Sequence, residues 1–226
     1  MADSFVEENF FKCSYFSAEE FNDKYKERTE ICSLLSYNIR SLKKNCKNLE
    51  NFLNSISNEK FSFTVLSLQE IWKIYKIEDV KVKGYQPLIF KGRESRNGGG
   101  VGFLIKEGVK FQELSHISIF KENIIESTFI KVFTQNGKFK VIGNIYRPPN
   151  KDIDIFLQDL EIILKKLDCK ELKGAEEILI SGDFNINVLS HLNHAPTNRF
   201  LSLLMTHSFM PTITLPSRIS DNSATC

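Results

Sequence analysis

Residues 177–187 read Glu-Ile-Leu-Ile-Ser-Gly-Asp-Phe-Asn-Ile-Asn, and this stretch decides how the rest of the chain is interpreted. Its apolar run stops at Gly182, and Asp183 and Asn185 follow at once. Short apolar runs bounded by glycine are typical of buried strands, and the two-residue period of a strand places both polar side chains on one side. The carboxylate can align a water molecule or a metal, and the amide can hold a phosphate oxygen. The alternative is an ordinary Asx-rich turn.

Two earlier apolar runs also end in polar side chains. Residues 31–38 are predicted to form a strand that ends at Asn38, and residues 63–68 a second strand that is followed by Glu70. Between them, apolar residues of 49–56 recur at helical spacing. A strand, a helix and a strand in this order predict a βαβ unit, so Asn38 and Glu70 are expected at the same edge of a sheet.

The third and fourth strand ends come from the second half of the chain. Residues 128–135 and 138–146 are β-type runs joined by Asn136-Gly137, the strongest hairpin signal in the sequence. The second run ends in Tyr146-Arg147-Pro148-Pro149, where the prolines stop the ladder. A helical stripe over residues 153–167 then leads into the strand before Asp183, and another helix is predicted over residues 197–207.

The glycine-rich stretch Gly98-Gly99-Gly100 does not predict a phosphate-binding loop. A strand over residues 101–105 follows it rather than a helix, and its spacing fits neither GxGxxG nor a Walker motif. Close backbone packing at the entrance to that strand is the predicted role. Arg93 and Arg96 are expected in a mobile loop beside it, solvated or touching phosphates.

Composition limits the class of protein. The chain has 226 residues with 42% hydrophobic content, and no apolar run approaches the roughly 18 residues of a membrane span. Its 5 cysteines include no CxxC pair, which indicates reduced thiols in a cytosolic or nuclear protein and argues against a zinc site. Residues 1–30 carry a net charge of −4 and are predicted to be an acidic leader, disordered or helical around residues 17–25; residues 31–226 form the domain.

Four strand ends that all carry suitable polar groups predict phosphodiester chemistry. Mg²⁺ is bound through one or two carboxylates, with waters and phosphate oxygens completing its shell, so Glu70 alone suffices as an anchor. The set is Asn38, Glu70, Tyr146 with Arg147, and Asp183 with Asn185.

These motifs resemble the endonuclease/exonuclease/phosphatase superfamily, and within it the apurinic-type endonuclease domain of non-LTR (LINE-type) retrotransposons. They occur in the family's order over residues 31–226. The matching segments are Tyr37–Leu42, Leu68–Trp72, Gly98–Gly102, Ile145–Pro149, Ser181–Asn185 and Pro216–Arg218.

The resemblance implies an α/β fold, a four-layer sandwich of two packed mixed sheets flanked by helices. It implies that Glu70 and Asn38 bind Mg²⁺ or Mn²⁺ and that Asp183, Asn185 and Tyr146 act on the scissile phosphate. It also implies a nuclear enzyme that nicks DNA, with the downstream reverse transcriptase domain and element RNA as partners and no membrane association. The residues expected to contact nucleic acid are Arg147, Arg40 and Thr214.

One departure from the family pattern leaves alternatives open. The family continues with an Asp-His pair beyond the position of Cys226, so we expect a C-terminally truncated domain that lacks its last strand or strands and binds DNA better than it cuts it. The first alternative is a catalytically dead remnant that at most binds nucleic acid. The second is a phosphoesterase of the same superfamily that acts on a small or lipid substrate.

Overall fold

In the computed structural model the chain forms two compact units. The larger unit spans Ala18–Asn185, and the smaller combines the described residues up to Ser17 with those from Ile186 onward. The described residues are 13–27, 32–56, 61–94, 97–134, 137–149, 152–190, 193–220 and 223–225.

The first sheet of the larger unit contains the predicted βαβ unit. Strand β1 (Leu34–Asn38) pairs in parallel with β2 (Val65–Gln69), and helix α2 (Leu42–Ile56) connects them. Two antiparallel strands complete the sheet, namely β3 (Ile89–Lys91) and β4 (Val101–Ile105), in the order β1-β2-β4-β3. The parallel pairing confirms that β1 and β2 end at the same edge.

The second sheet has the order β5-β7-β8-β9, with β6 paired to β7. Strands β7 and β8 form the predicted antiparallel hairpin, whose turn at 135–136 lies outside the described residues. Helix α3 (Ile153–Leu167) then returns the chain to β9, which runs parallel to β8. The strands are β5 (Phe111–Glu113), β6 (Phe120–Lys121), β7 (Ile125–Phe133), β8 (Phe139–Tyr146) and β9 (Ala175–Asp183).

Apolar side chains on both faces of the sheets produce four layers. On one side, α2 packs Leu49 and Leu53 against Leu66 and Leu68 of β2. Between the sheets lie Val65, Phe103, Ile105, Ile130, Val132 and Ile142. On the far side, α3 buries the predicted stripe, including Phe156, Leu160, Ile163, Leu164 and Leu167. The predicted four-layer α/β sandwich is therefore confirmed, and neither sheet closes into a barrel.

Buried hydrogen bonds tie the two sheets together near their carboxyl ends. The Asn144 amide in β8 donates to the carbonyls of Leu68 at 2.8 Å and Gly102 at 3.0 Å, and its Oδ1 accepts from Gln69 Nε2 at 2.8 Å. Buried polar groups are costly when unpaired, so this network favours one position of the sheets relative to each other. The strands that end at the site are thereby held in register.

Helix α1 (Ala18–Tyr25) belongs to the larger unit and packs against its core. Phe21 lies 5.3 Å from the ring centroid of Phe61 and 5.9 Å from that of Phe63, and Tyr25 lies 4.7 Å from Phe21. Part of the predicted leader therefore contributes aromatic surface to the domain. The boundary at residue 30 stays a prediction.

Two details of the sequence patterns differ from the structure. The run 178–180, predicted to be a buried strand, is only half-buried, because β9 pairs with β8 alone among the described strands. Phe52, which lies at helical spacing from Leu49, is 45% exposed, because it lies on the flank of the stripe whose buried residues are Leu42, Leu49, Leu53 and Ile56.

The smaller unit contains helix α4 (Ala195–Thr206), close to the prediction, and the antiparallel hairpin of β10 (Arg218–Ser220) and β11 (Ser223–Thr225). Tyr15 donates its hydroxyl to the carbonyl of Pro216 at 2.7 Å. No helix in either unit, as far as the chain is described, is long and apolar enough to cross a membrane.

Candidate active site

Four strand ends meet at one end of the sandwich. The last paired residues of β1 and β2 are Asn38 and Gln69, and those of β8 and β9 are Tyr146 and Asp183. Glu70 follows Gln69 directly. Parallel strands end at the same edge, and the packing of the two sheets brings the two edges together. Side chains far apart in sequence therefore meet here.

Asn38 connects the two carboxylates of the site. Its Nδ2 donates to Glu70 Oε1 at 2.8 Å and to Asp183 Oδ2 at 2.8 Å. Two carboxylates held this close repel each other, and a shared donor offsets part of that repulsion. The arrangement brings negative charge from both sheets to one point.

Tyr146 adds a buried phenol to this cluster. The residue is 4% exposed, and its hydroxyl donates to Glu70 Oε1 at 3.3 Å. Burial, followed by the charges of Glu70 and Asp183, raises the pKa of Tyr146. The phenol therefore keeps its proton at neutral pH and acts as a hydrogen-bond donor.

The turn after β9 fixes Asp183 and Asn185. Gly182 has φ +147°, and a Cβ there would lie 1.8 Å from the carbonyl oxygen of Ile145, so no other residue fits without a shift of the backbone. Asp183 Oδ1 accepts the backbone N–H of Asn185 at 3.1 Å, which forms an Asx turn. Asn185 Nδ2 donates to the carbonyl of Arg147 at 2.7 Å, so the turn is tied to the end of β8.

The turn after β2 is held by backbone hydrogen bonds on both sides. Glu70 has φ +53°, and its carbonyl accepts the N–H of Ser41 at 2.8 Å. On the other side, the N–H groups of Ile71 and Trp72 donate to the carbonyls of Gly100 at 3.2 Å and Gly99 at 2.8 Å. The predicted role of these glycines in close backbone packing is confirmed, and their contacts place them beside Glu70.

A buried ion pair supports the same turn, and it corrects the expectation for Arg93. The Arg93 side chain is 6% exposed and binds Glu126 Oε1 at 2.5 Å, so it is neither mobile nor solvated. Glu126 Oε2 accepts the N–H of Gly100 at 2.5 Å. Burial raises the pKa of Glu126, and Gly100 and Arg93 oppose that rise. Arg96 lies outside the described residues.

Sequence reasoning missed Glu126 because it predicted this strand over residues 128–135, whereas β7 begins at Ile125. A buried carboxylate requires a partner, but the sequence around Glu126 does not identify that partner. Arg93, Glu126 and Gly100 form one connected support, because the carbonyl of Gly100 accepts the N–H of Ile71, directly after Glu70.

The three residues expected to contact nucleic acid lie in different environments. Arg147 is 7% exposed; its Nη1 donates to the Pro148 carbonyl at 3.2 Å and its guanidinium carbon lies 5.7 Å from the Phe156 ring centroid. Burial lowers the pKa of Arg147, and Asp183 opposes that effect. Arg40 is exposed with φ +45°, two residues after Asn38. Thr214 is exposed in the smaller unit. All three roles stay predictions.

The site has the donor set of a hard divalent cation. The described residues include no group of three or more His, Cys, Asp and Glu side chains that could hold a metal. Mg²⁺, however, needs only one or two carboxylates, and Glu70 and Asp183 share the donor Asn38. Asn38 Oδ1 is buried and has no hydrogen-bond partner among the described groups. An unpaired amide oxygen beside two carboxylates fits Mg²⁺ or Mn²⁺.

A comparison with protein families gives one match, and it covers most of the chain. The sequence profile described as Endonuclease/Exonuclease/phosphatase family matches residues 35–225, which include the site end of every strand that contributes to the site. A comparison with curated proteins finds no match.

Solved structures of similar fold share little sequence with this chain. The 3′ phosphatase NExo from Neisseria, bound to a product DNA hairpin, has a TM-score of 0.51 and 14% identity over 78% of this chain and 71% of that chain. D. rerio TDP2, complexed with a single-strand DNA product, has a TM-score of 0.50 and 16% identity over 79% of this chain and 65% of that chain.

The 2′,3′-cyclic phosphatase ANGEL2 has a TM-score of 0.48 and 17% identity over 70% of this chain. The match spans 55% of the ANGEL2 chain, so little more than half of that protein is represented. At these identities the likeness concerns the fold.

Proposed function

Because the chain belongs to the endonuclease/exonuclease/phosphatase family, whose members hydrolyse phosphodiesters or phosphate esters and usually depend on a metal, we propose that it is an Mg²⁺- or Mn²⁺-dependent endonuclease that nicks DNA. The observation that carries this proposal is the bridge from Asn38 to both Glu70 and Asp183. It joins a candidate metal ligand from one sheet to a candidate water-orienting carboxylate from the other.

The protein groups divide the chemistry among them. Asp183 orients the attacking water and accepts its proton, and the Asx turn keeps its Oδ1 aligned. Tyr146 donates a hydrogen bond toward Glu70 or toward a phosphate oxygen that enters beside it. Asn185 holds a second phosphate oxygen through its amide. Glu70 and Asn38 Oδ1 would hold the divalent cation, which would supply Lewis-acid stabilisation of the charge that builds on the phosphate.

DNA is the proposed substrate for two reasons. The residues after position 30 carry a net charge of +6, which permits a polyanion partner. Two proteins of similar fold, NExo and TDP2, have been solved with DNA products. Together they favour DNA over a small or lipid phosphate ester.

We also propose that the domain belongs to a non-LTR retrotransposon, with the reverse transcriptase domain and element RNA as partners in the nucleus. The support is the pair of motifs Tyr146–Pro149 and Ser181–Asn185, which together resemble that branch. The test is the genomic sequence that follows the codon for residue 226. A reverse transcriptase reading frame in phase is expected, and an unrelated frame would contradict the proposal.

The test of the enzymatic proposal is a nicking assay on supercoiled plasmid DNA. We expect conversion to open circles with Mg²⁺ or Mn²⁺ and none in EDTA. Removing a group that stabilises transition-state charge costs about 10²–10³ in rate, so Glu70→Gln and Asp183→Asn should each lose at least that much. Glu177→Gln is the matched control, because it neutralises a carboxylate of the same strand as Asp183 in an exposed pair with Lys140.

A second substrate separates the endonuclease from a phosphatase. An oligonucleotide with a 3′-phosphate releases inorganic phosphate if the enzyme is a phosphomonoesterase. Phosphate release without plasmid nicking would contradict the proposed endonuclease while keeping the same site. Equal nicking by wild-type protein and Asp183→Asn would contradict the assignment of the site itself.

A further inference from the structure

The segment Trp72–Lys76, called the aromatic loop below, begins two residues after Glu70 and carries a pattern that the catalytic proposal does not use. It reads Trp-Lys-Ile-Tyr-Lys, in which each aromatic residue is followed by a lysine. Tyr75 is 78% exposed, and Lys73 Nζ lies 5.4 Å from its ring centroid. Exposed aromatic rings among cations are typical of surfaces that bind single-stranded nucleic acid.

The aromatic loop is held in place by its backbone and by one apolar side chain. The N–H of Trp72 donates to the carbonyl of Gly99 at 2.8 Å, and the N–H of Lys73 donates to Asn97 Oδ1 at 3.2 Å. Ile74 packs against the core under the first sheet. Tyr75 is therefore presented to solvent by an anchored segment rather than by a loose one.

The cations of the aromatic loop are available to a ligand. Neither Lys73 nor Lys76 forms an ion pair with a carboxylate anywhere in the described ranges. Nearby Asp79 instead pairs with Lys43 at 3.7 Å. Unpaired ammonium groups beside an open ring suit a ligand that carries both phosphates and flat apolar faces.

We propose that the aromatic loop binds an unpaired DNA strand beside the cleaved phosphate, with Lys73 and Lys76 on phosphates and Tyr75 on the face of a base. An unpaired strand is specified because bases in a duplex are stacked and offer no free face to Tyr75. Five residues reach at most about 17 Å, so Tyr75 lies within about five nucleotides of a phosphate held at Glu70. The identity of the ligand rests on the proposed function.

The chain supplies a matched control surface in Lys131 and Phe133. Lys131 Nζ also lies 5.4 Å from the Phe133 ring centroid, and Phe133 is 39% exposed. Phe133 pairs with Phe139, the first residue of β8, whereas Tyr146 is its last. Seven residues of strand place this control about 24 Å from the site. Lys131 Nζ also lies 3.8 Å from the Phe139 ring centroid, so this surface has a cation beside aromatic rings, as the aromatic loop does, but far from Glu70.

Binding can be measured without catalysis. Trp72 is the single tryptophan of the chain, so tryptophan fluorescence reports on the aromatic loop. A 12-nucleotide single-stranded DNA is titrated in EDTA while tryptophan fluorescence and the anisotropy of a labelled strand are recorded. We expect saturable quenching of Trp72. Replacing both lysines by Gln should reduce the slope of log affinity against log salt by about 1.4, since each phosphate contact on single strands contributes about 0.7.

Tyr75→Ala should weaken binding of the single strand about 10-fold and binding of a 12-base-pair duplex less than 2-fold, because only the single strand offers a base face. Lys131→Gln and Phe133→Ala should change neither quantity. Unchanged Trp72 fluorescence, equal effects of loop and control variants, or equal losses on the two probes would each overturn the proposal. Quenching and slope loss in a protein that nicks no plasmid would support the aromatic loop and reject the proposed endonuclease.

Discussion

The two carboxylates of the site follow strands that differ in burial and in the contacts that hold them. Glu70 follows β2, in which all five residues are buried and which has a neighbouring strand on each side. Asp183 ends β9, a half-buried edge strand that pairs with β8 alone in the described part of the chain. The Glu70 turn is also backed by the buried pair of Arg93 and Glu126. No comparable ion pair of described residues backs the Asp183 turn.

This difference suggests how the site combines rigidity with movement. A candidate metal ligand on a buried strand keeps its position when substrate enters or leaves. A candidate water-orienting carboxylate at the end of an edge strand has fewer buried contacts around it, and regions with few buried contacts open locally at lower free energy. If the proposed function holds, we expect the site to adjust to its substrate mainly from the Asp183 side, with Asn38 as the link between the two sides.

The largest effect is expected from a substitution that removes the buried ion pair behind the Glu70 turn. Glu126→Gln leaves the Arg93 guanidinium buried without its charge partner, and breaking a buried pair in this way costs about 3–5 kcal/mol. Urea unfolding measures the loss. Glu177→Gln, in the exposed pair with Lys140, should change stability by less than about 1 kcal/mol. Equal effects of the two substitutions would show that the buried pair gives the Glu70 side no special support.

The second largest effect is expected from removing Asn38, which links the two carboxylates. Asn38→Ala deletes the donor shared by Glu70 and Asp183 and leaves their charges facing each other. We expect nicking to fall by about 10²–10³, as for other losses of a charge-stabilising group. Asn48→Ala is the control, because its amide contacts Asn45 on the exposed face of α2. Full activity of Asn38→Ala at matched folded concentration would mean that the two halves act independently.

Most of the fold was predictable because its local signals agree with its tertiary structure. The spacing of β1, α2 and β2 predicted a parallel pair, and Asn136-Gly137 predicted the hairpin of β7 and β8. The half-exposure of β9 could not be read from its apolar run alone, because such a run does not show how many strands pair with it. Burial of a strand is set by its place in the sheet.

The residues of the site also differ in whether the sequence could predict them. Asn38, Glu70, Tyr146 and Asp183 were found because each closes an apolar strand, and the structure brings them together. The partnership of Arg93 with Glu126 could not be read from the sequence, because 33 residues separate them and neither lies in a recognisable motif. Pairing across two sheets depends on three-dimensional packing, for which local patterns carry no signal.

A third substitution, at Gly182, tests the support on the Asp183 side of the site. Gly182→Ala places a Cβ 1.8 Å from the Ile145 carbonyl oxygen, so β9 must shift away from β8. We expect a loss of about 2–3 kcal/mol by urea unfolding, together with faster hydrogen exchange in β9 than in β2. Gly108 also has a positive φ, +81°, but no atom lies within 4 Å of the position that a Cβ would take. Gly108→Ala should therefore cost about 1 kcal/mol from backbone strain alone. If Gly182→Ala and Gly108→Ala lowered the free energy of unfolding equally, the positive φ and not the contact with Ile145 would explain the loss.

The smallest expected effect concerns Tyr146, the residue that touches both sides. It donates to Glu70 at 3.3 Å and pairs in register with Asp183. Because burial and the two carboxylates raise its pKa, the phenol is a neutral donor throughout the neutral range. Tyr146→Phe keeps the ring and removes only this donation. A long hydrogen bond to a charged group corresponds to about a 10-fold loss of nicking rate.

The shape of the pH profile distinguishes this role from proton transfer. If Tyr146 only donates a hydrogen bond, Tyr146→Phe lowers the rate by the same factor from pH 6 to pH 9, since the phenol does not ionise in that range. Tyr85→Phe is the control: burial raises the pKa of Tyr85 to about 12, and its hydroxyl donates to the Phe63 carbonyl at 3.0 Å, away from the strand ends of the site. It should cost stability and leave the nicking rate of the folded protein unchanged. A Tyr146→Phe profile that changes shape near neutral pH would assign the proton step to Tyr146, and the division of labour between the Glu70 and Asp183 sides would then have to be redrawn.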